Sequence, residues 1–377
     1  MTPPAGHLHD PAGHLHDPVA CTVRVRWPGP VGTGHDADMA GRITVVGAGV
    51  TGLSCAVRLA EAGHEVDVLA RDLPAETTSA VMGGLWLPYL AEPAADVARW
   101  ARTTLIELLA LAEDPASGAR LVAGHLLHAR PVPPPHWAPA VADLAPLQAR
   151  TDPVPGYAFG YLTTLPLVDT LTYLAYLRQR LLRAGGTLTR LPLAGLPPRG
   201  LVVNCTGLSA RALVPDPLVH PVRGQVLLLR DPGLAQWCCD TASDSDTRSD
   251  SDTASDSDTR SHDGPMYVLP RGRDVVVGGT AEDGVWDTTP DPEIGRTLLR
   301  RARAAVPELA RATVLGHRVG LRPARPAVRL EVEHRPGGDD PGHAVVHCYG
   351  HGGSGLTLSW GCADDVVAAV GALTGVR

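Results

Sequence analysis

Apolar and polar residues alternate along this chain with two different periods, and the changes of period predict interleaved strands and helices. Residues 42–46 are a short β-branched run that reads as a buried strand. Residues 50–62 carry Leu53, Val57, Leu59 and Ala60 at helical spacing, and 65–69 read as a second strand. Residues 103–112 and 170–183 have the 3–4 spacing of amphipathic helices. Runs at 201–204, 225–229, 267–269, 274–277 and 344–348 read as strands, and a last helix spans 356–372. This mixed order predicts an α/β domain together with a second, more antiparallel one.

Two stretches break the pattern. Residues 1–40 hold a tandem heptapeptide, Pro4 to Asp10 and again Pro11 to Asp17, rich in Pro, Gly and His. They read as a disordered leader. Residues 240–263 contain a ten-residue string that recurs twelve positions on, at Asp240 and at Asp252. Its alternating Asp residues lack the Gly and Glu that a calcium loop of the EF-hand type requires, so it reads as a disordered Asp/Ser-rich insertion. No metal site is expected.

Composition removes several function classes. All 33 basic residues are Arg, which looks like a coding bias. The net charge is -7, and the eight Asp and two Arg of 240–263 account for most of it. The remainder is nearly neutral, without the basic face that nucleic acid needs. The seven Cys show neither disulfide nor zinc spacing. No uncharged apolar run reaches the roughly 18 residues of a membrane span, and no signal core opens the chain, so a cytoplasmic location is expected.

Gly47-Ala48-Gly49-Val50-Thr51-Gly52 follows a predicted strand and opens a predicted helix. In that setting the string reads as a dinucleotide-binding turn, with the pyrophosphate seated on the positive helix end. Ala70-Arg71-Asp72 closes the second strand, where a ribose-binding acid is expected. An arginine there also suits the 2′-phosphate of NADP, so the turn alone leaves FAD and NADP open.

Further motifs follow in order: Thr78-Ser79, Gly84-Leu85-Trp86, Asn204-Cys205-Thr206-Gly207, Arg223-Gly224-Gln225, Tyr267 to Arg271, Gly278-Gly279-Thr280, Gly320-Leu321-Arg322-Pro323, and His351-Gly352-Gly353 through Gly361. This ordered series, from about residue 42 to 370, resembles the D-amino-acid oxidase family. The resemblance implies a Rossmann-like FAD-binding domain from 41–95, 165–212 and 314–377. It also implies a substrate and interface domain of α+β type, on a mixed and largely antiparallel sheet, from 96–164 and 213–313. FAD is the implied cofactor. Its implied contacts are Gly47 to Gly52, Arg71, Asp72, Thr78, Ser79, Gly84, Leu85, Trp86, Thr206 and Gly207, then Gly350, Gly352, Gly353, Ser354, Gly355, Leu356 and Thr357.

The same resemblance makes Arg322 the partner of a substrate carboxylate, because a guanidinium fork matches a planar carboxylate in a way that lysine does not. An arginine in a structural ion pair is the competing reading. Tyr267 would add a hydroxyl bond to that carboxylate, and Ser354 would sit beside the substrate. Tyr267 and Leu269 share one strand face, so a core tyrosine is the alternative. The implied reaction converts D-amino acids to 2-oxo acids, ammonia and hydrogen peroxide, with oxygen as electron acceptor. Ala281 stands where D-aspartate oxidases tend to carry arginine, which implies neutral substrates. A glycine or sarcosine oxidase of the same fold and an inactive flavin-binding paralogue are the alternatives. No membrane partner is expected, and a homodimer is left open.

Overall fold

In the computed structural model, which describes residues 42–89, 91–148, 154–240, 265–335 and 343–375, the chain opens with a strand–helix–strand unit. It consists of β1 (Arg42–Val46), α1 (Val50–Glu61) and β2 (Glu65–Ala70). The leader at 1–40 and residues 241–263 of the insertion lie outside the described residues.

β1 is central in a six-stranded sheet of order β14-β15-β7-β1-β2-β6, completed by β6 (Thr187–Arg190), β7 (Leu201–Asn204), β14 (Arg329–His334) and β15 (Ala344–Tyr349). Every pairing is parallel except that of β14 with β15. The chain passes from β1 to β2 on one side and returns to β7 on the other. The strand order therefore reverses between β1 and β7, the place where open sheets of this type bind ligands.

The period-two alternation of β-strands sorts these side chains. Ile43, Val45, Leu201, Val203, Val346 and Cys348 enter one core together with Leu53 and Val57 of α1 and Val366 of α6 (Gly355–Thr374). Val46, Val202 and Val345 face the other way, onto Leu193 and Leu196. α1 packs against α6 and against α3 (Thr170–Arg183), and α2 (Ala94–Leu111) covers α6. Residues 352–374 are long and apolar enough to cross a membrane by composition, yet this segment packs within the fold, and its Asp364 and Asp365 accept hydrogen bonds from Arg58 and Arg99.

The second sheet has nine strands. They are β3 (Ala119–His128), β4 (Ala145–Pro146), β5 (Phe159–Val168), β8 (His220–Arg230), β9 (Trp237–Asp240), β10 (Met266–Pro270), β11 (Asp274–Gly278), β12 (Glu282–Asp283) and β13 (Val314–Ala324). All its pairings are antiparallel except β3 with β9, which matches the mixed, largely antiparallel sheet expected from sequence. α4 (Ala210–Leu213) is one turn, whereas α5 (Pro292–Ala305) packs Ile294 and Leu298 onto Leu227, Val275 and Val277. The other face, with Val226, Leu269 and Val276, joins the core of the first sheet.

Three differences from the sequence reading have local causes. α2 begins at Ala94, nine residues before the expected 103, because its apolar stripe continues through Trp100 and Val97 between charged residues. β13 was not expected: Gly316, Gly320 and Pro323 weaken its strand signal, yet it pairs with β8 along its whole length. α5 was not expected either; its Asp291 cap accepts a hydrogen bond from the Glu293 backbone N–H at 2.7 Å.

Candidate active site

The dinucleotide turn is built as its glycines predict. Gly47 has φ +114, and a Cβ there would lie 2.4 Å from the Cys205 carbonyl oxygen. A Cβ on Gly52 would lie 2.0 Å from the Gly47 oxygen. The turn therefore presses against the end of β7 and onto its own helix. α1 starts at Gly49 with no cap from its own side chain, and its Val50 N–H donates to Ser79 Oγ at 3.0 Å.

α6 also starts without a side-chain cap, at Ser354. The two starts are neighbours, since a Cβ on Gly355 would lie 3.8 Å from Val50 Cγ1 and 3.9 Å from Thr51 Oγ1. Two adjacent helix starts form a region of positive potential suited to anionic or carbonyl groups. Glycines without room for side chains, together with these two starts, fit a dinucleotide such as FAD.

β13 brings the rest together. A Cβ on Gly320 would lie 3.3 Å from Val81 Cβ and 3.6 Å from Thr78 Cγ2. Gly207 stands 3.6 Å from Pro323 by the same measure, and Gly353 stands 3.8 Å from Arg322 Cδ and 3.5 Å from Tyr89 Cδ1. Loops that follow β2, β7 and β15 thus meet one stretch of a strand in the other sheet. Each loop leaves the carboxyl end of a strand, which explains why motifs so far apart in sequence converge.

Arg322 lies on that stretch. Its Nη1 donates to the Thr280 carbonyl at 2.8 Å, and no carboxylate pairs with it among the described residues. The guanidinium lies over Gly224 of β8, where a Cβ would fall 2.5 Å from both terminal nitrogens. Gly224 pairs with Gly320, two residues before Arg322, so the side chain leans diagonally across one face. Tyr267 approaches from β10, and its ring covers Gly278, its cross-strand partner. Burial raises the Tyr267 phenol above its usual value, while the Arg322 charge beside it pulls the other way. Tyr267 and Leu269 do share a face, both lying against Gly83.

Other expected residues are held differently. Ser354 Oγ accepts from Tyr89 N at 3.1 Å and donates to the Tyr89 oxygen, while Thr357 Oγ1 makes the same pair of bonds to Leu87. Both hydroxyls tie the start of α6 to the 87–89 segment. Thr206 Oγ1 donates to Asn204 Oδ1 at 2.7 Å. Arg71 and Asp72 pair with each other at the exposed end of β2. Gly84 and Leu85 are stitched to the end of β5 by backbone bonds, and the Trp86 ring is fully buried edge-on against Trp137, donating to the Ala101 oxygen at 3.0 Å.

Sequence reasoning gave no role to Gly224 or to the Thr280 carbonyl. The signal for the first was present: a glycine inside an apolar strand run marks close approach of another group. The second is a backbone atom and leaves no trace in side-chain identity.

Residues 42–369 match the model of a family described as FAD dependent oxidoreductase. The chain is 44% identical to the D-amino-acid oxidase of Rubrobacter xylanophilus over 336 residues, 88% of this chain and 96% of that protein. It is 43% identical to the D-amino-acid oxidase of Streptomyces coelicolor over 88% of this chain and 97% of that protein. The crystal structure of glycine oxidase from Bacillus cereus superposes with a TM-score of 0.67 at 18% identity, covering 88% of this chain and 95% of that one, which is a likeness of fold. With most of its length matched in sequence and in architecture, this chain belongs to the FAD dependent oxidoreductase family.

Proposed function

We propose that this protein oxidises neutral D-amino acids with FAD, giving a 2-oxo acid, ammonia and hydrogen peroxide. The observation that carries the reading is Arg322: a guanidinium without a carboxylate partner among the described residues, held over Gly224 beside the glycine loop at 352–355. The D-amino-acid oxidases similar to this chain support the same reading.

In this proposal the first sheet and its helices hold the cofactor, through the Gly47–Gly52 turn and the start of α6. When bound there, FAD would supply the two-electron oxidation at the substrate Cα, with oxygen as the final electron acceptor. Arg322 receives the substrate carboxylate. The Thr280 carbonyl anchors one guanidinium nitrogen, so the remaining N–H groups keep a fixed direction. Tyr267 donates its hydroxyl to the same carboxylate. The chain mainly orients the amino acid, and orientation of this kind supplies a large part of rate enhancement. Ala281, directly after Thr280, brings no second cation for an acidic side chain.

Peroxide release from a panel of amino acids tests the proposal. D-alanine and D-methionine should be turned over faster than D-aspartate, glycine or sarcosine. Faster turnover of glycine or sarcosine, or no peroxide from any amino acid by the yellow protein, would overturn it.

Two substitutions test the geometry. Tyr267→Phe should weaken substrate by about 1.5–3 kcal/mol, the worth of a hydrogen bond to a charged group, read in kcat/KM with folding unchanged. Gly224→Ala should place a methyl group against the guanidinium, which is the flexible end of a long side chain and will move before the backbone does. A displacement of about 1 Å at a positioning group can cost roughly 100-fold, so kcat/KM should fall by that order while thermal stability stays near the parent's.

A further inference from the structure

The four cysteines Cys55, Cys205, Cys348 and Cys362 lie 307 positions apart at their extremes, yet the fold gathers them, with His351, behind the dinucleotide turn. Cys55 comes from α1, one turn after Gly52. Cys205 follows β7, Cys348 lies on β15, His351 opens the glycine loop and Cys362 lies on α6. The donor atoms of Cys55, Cys205 and Cys348 lie within 4.8 Å of one another, and so do those of Cys348, His351 and Cys362. Cys348 belongs to both groups, and its Sγ is 4.0 Å from His351 Nε2. All five residues are buried.

Strand alternation explains the gathering. Cys348 points to the helix side of the first sheet, where α1 and α6 cross it. Its neighbour His347 points to the other side and meets Asn204 there. A thiol at 347 could not have joined the cluster.

We propose that this cluster is a binding site for one soft, closed-shell divalent cation of the zinc and cadmium type, centred on Cys348. Sulfur and imidazole donors select such ions over magnesium or calcium. Metal–sulfur bonds of about 2.3 Å in a tetrahedron place sulfurs about 3.8 Å apart, so within each group of three the donors need only close in slightly. Three thiols ionise, those of Cys348, Cys362 and one of Cys55 and Cys205, and three protons leave to solvent. Neutral His351 completes a Cys₃His shell, in which the dication offsets all but one of the three thiolate charges. The bound ion joins β15 and α6 either to α1 or to the residue after β7, both of which adjoin the dinucleotide turn.

Cadmium is the probe. The FAD-loaded protein, given cadmium and desalted, should retain one ion per chain, release about three protons per ion, show thiolate-to-metal absorption and melt at a higher temperature. Loss of even an indirect partner of a metal ligand costs about 10–100-fold in affinity, so Cys348→Ala should weaken binding by at least about tenfold. Cys238→Ala, in β9 and outside the cluster, should bind as the parent does. Should Cys348→Ala fail to fold, Cys362→Ser decides on the same criterion. Anomalous diffraction from cadmium-soaked crystals of the unaltered protein should give a peak within bonding distance of Cys348 Sγ. No retained ion, undiminished binding in the folded cluster variants, or an anomalous peak elsewhere would overturn the proposal.

Discussion

Arg322→Ala is expected to yield a protein that stays yellow and loses nearly all turnover of D-amino acids. Removing one partner of a charge pair in a closed site costs about 2–5 kcal/mol. That corresponds to a fall of roughly 30- to 5,000-fold in kcat/KM. The substitution should spare the cofactor, because the Gly47 turn and the start of α6 do not use the guanidinium. It should also spare the fold, because Arg322 gives up one hydrogen bond to the Thr280 oxygen and no ion pair among the described residues. Steady-state peroxide release with D-alanine or D-methionine, alongside the visible spectrum, checks both halves. A yellow variant that works at the parent rate would remove the carboxylate assignment. A structure with Arg322 turned into an ion pair elsewhere would do the same.

Gly47→Ala should have the opposite signature, losing the flavin first. The residue has φ +114, a conformation that costs an L-residue about 1–2 kcal/mol. Its new methyl group would also press on the Cys205 carbonyl, and overpacking of a rigid site adds about 1–3 kcal/mol. Neither contact can relax cheaply, because both partners are backbone at the junction of β1, β7 and α1. The variant should therefore purify colourless or lose its colour on desalting, and should melt below the parent. Adding excess FAD should restore little of the colour. Full retention of yellow colour at unchanged melting temperature would show that the turn does not hold the cofactor.

The two results together separate the halves of the site. One variant keeps the cofactor without chemistry, and the other loses the cofactor itself. A protein that lost flavin in both cases would point to Arg322 as a cofactor-side residue.

Much of this was readable from the chain. The β1–α1–β2 unit, α3, β7 and α6 stand within a few residues of where periodicity placed them, since each is long or strongly patterned and packs against its sequence neighbours. The order of the motifs gave the family, which the match over residues 42–369 bears out. β13 was less legible, because its glycines and proline lower strand propensity and only pairing with β8 stabilises it. Gly224 carries a motif identity in the sequence, and its physical reason is the guanidinium that lies above it in the fold.

Local pattern determined the α/β character of this protein, its dinucleotide turn and its likeness to flavin oxidases, because periodicity and turn chemistry act between residues a few positions apart. Tertiary structure alone decided that loops after three different strands meet at Arg322, that Ser354 and Thr357 spend their hydroxyls on the 87–89 backbone, and that three dispersed thiols gather around that of Cys348. The first and last of those outcomes depend on strand register and on which face of a sheet each side chain takes, and a shift of one residue would turn Arg322 and Cys348 to the opposite faces.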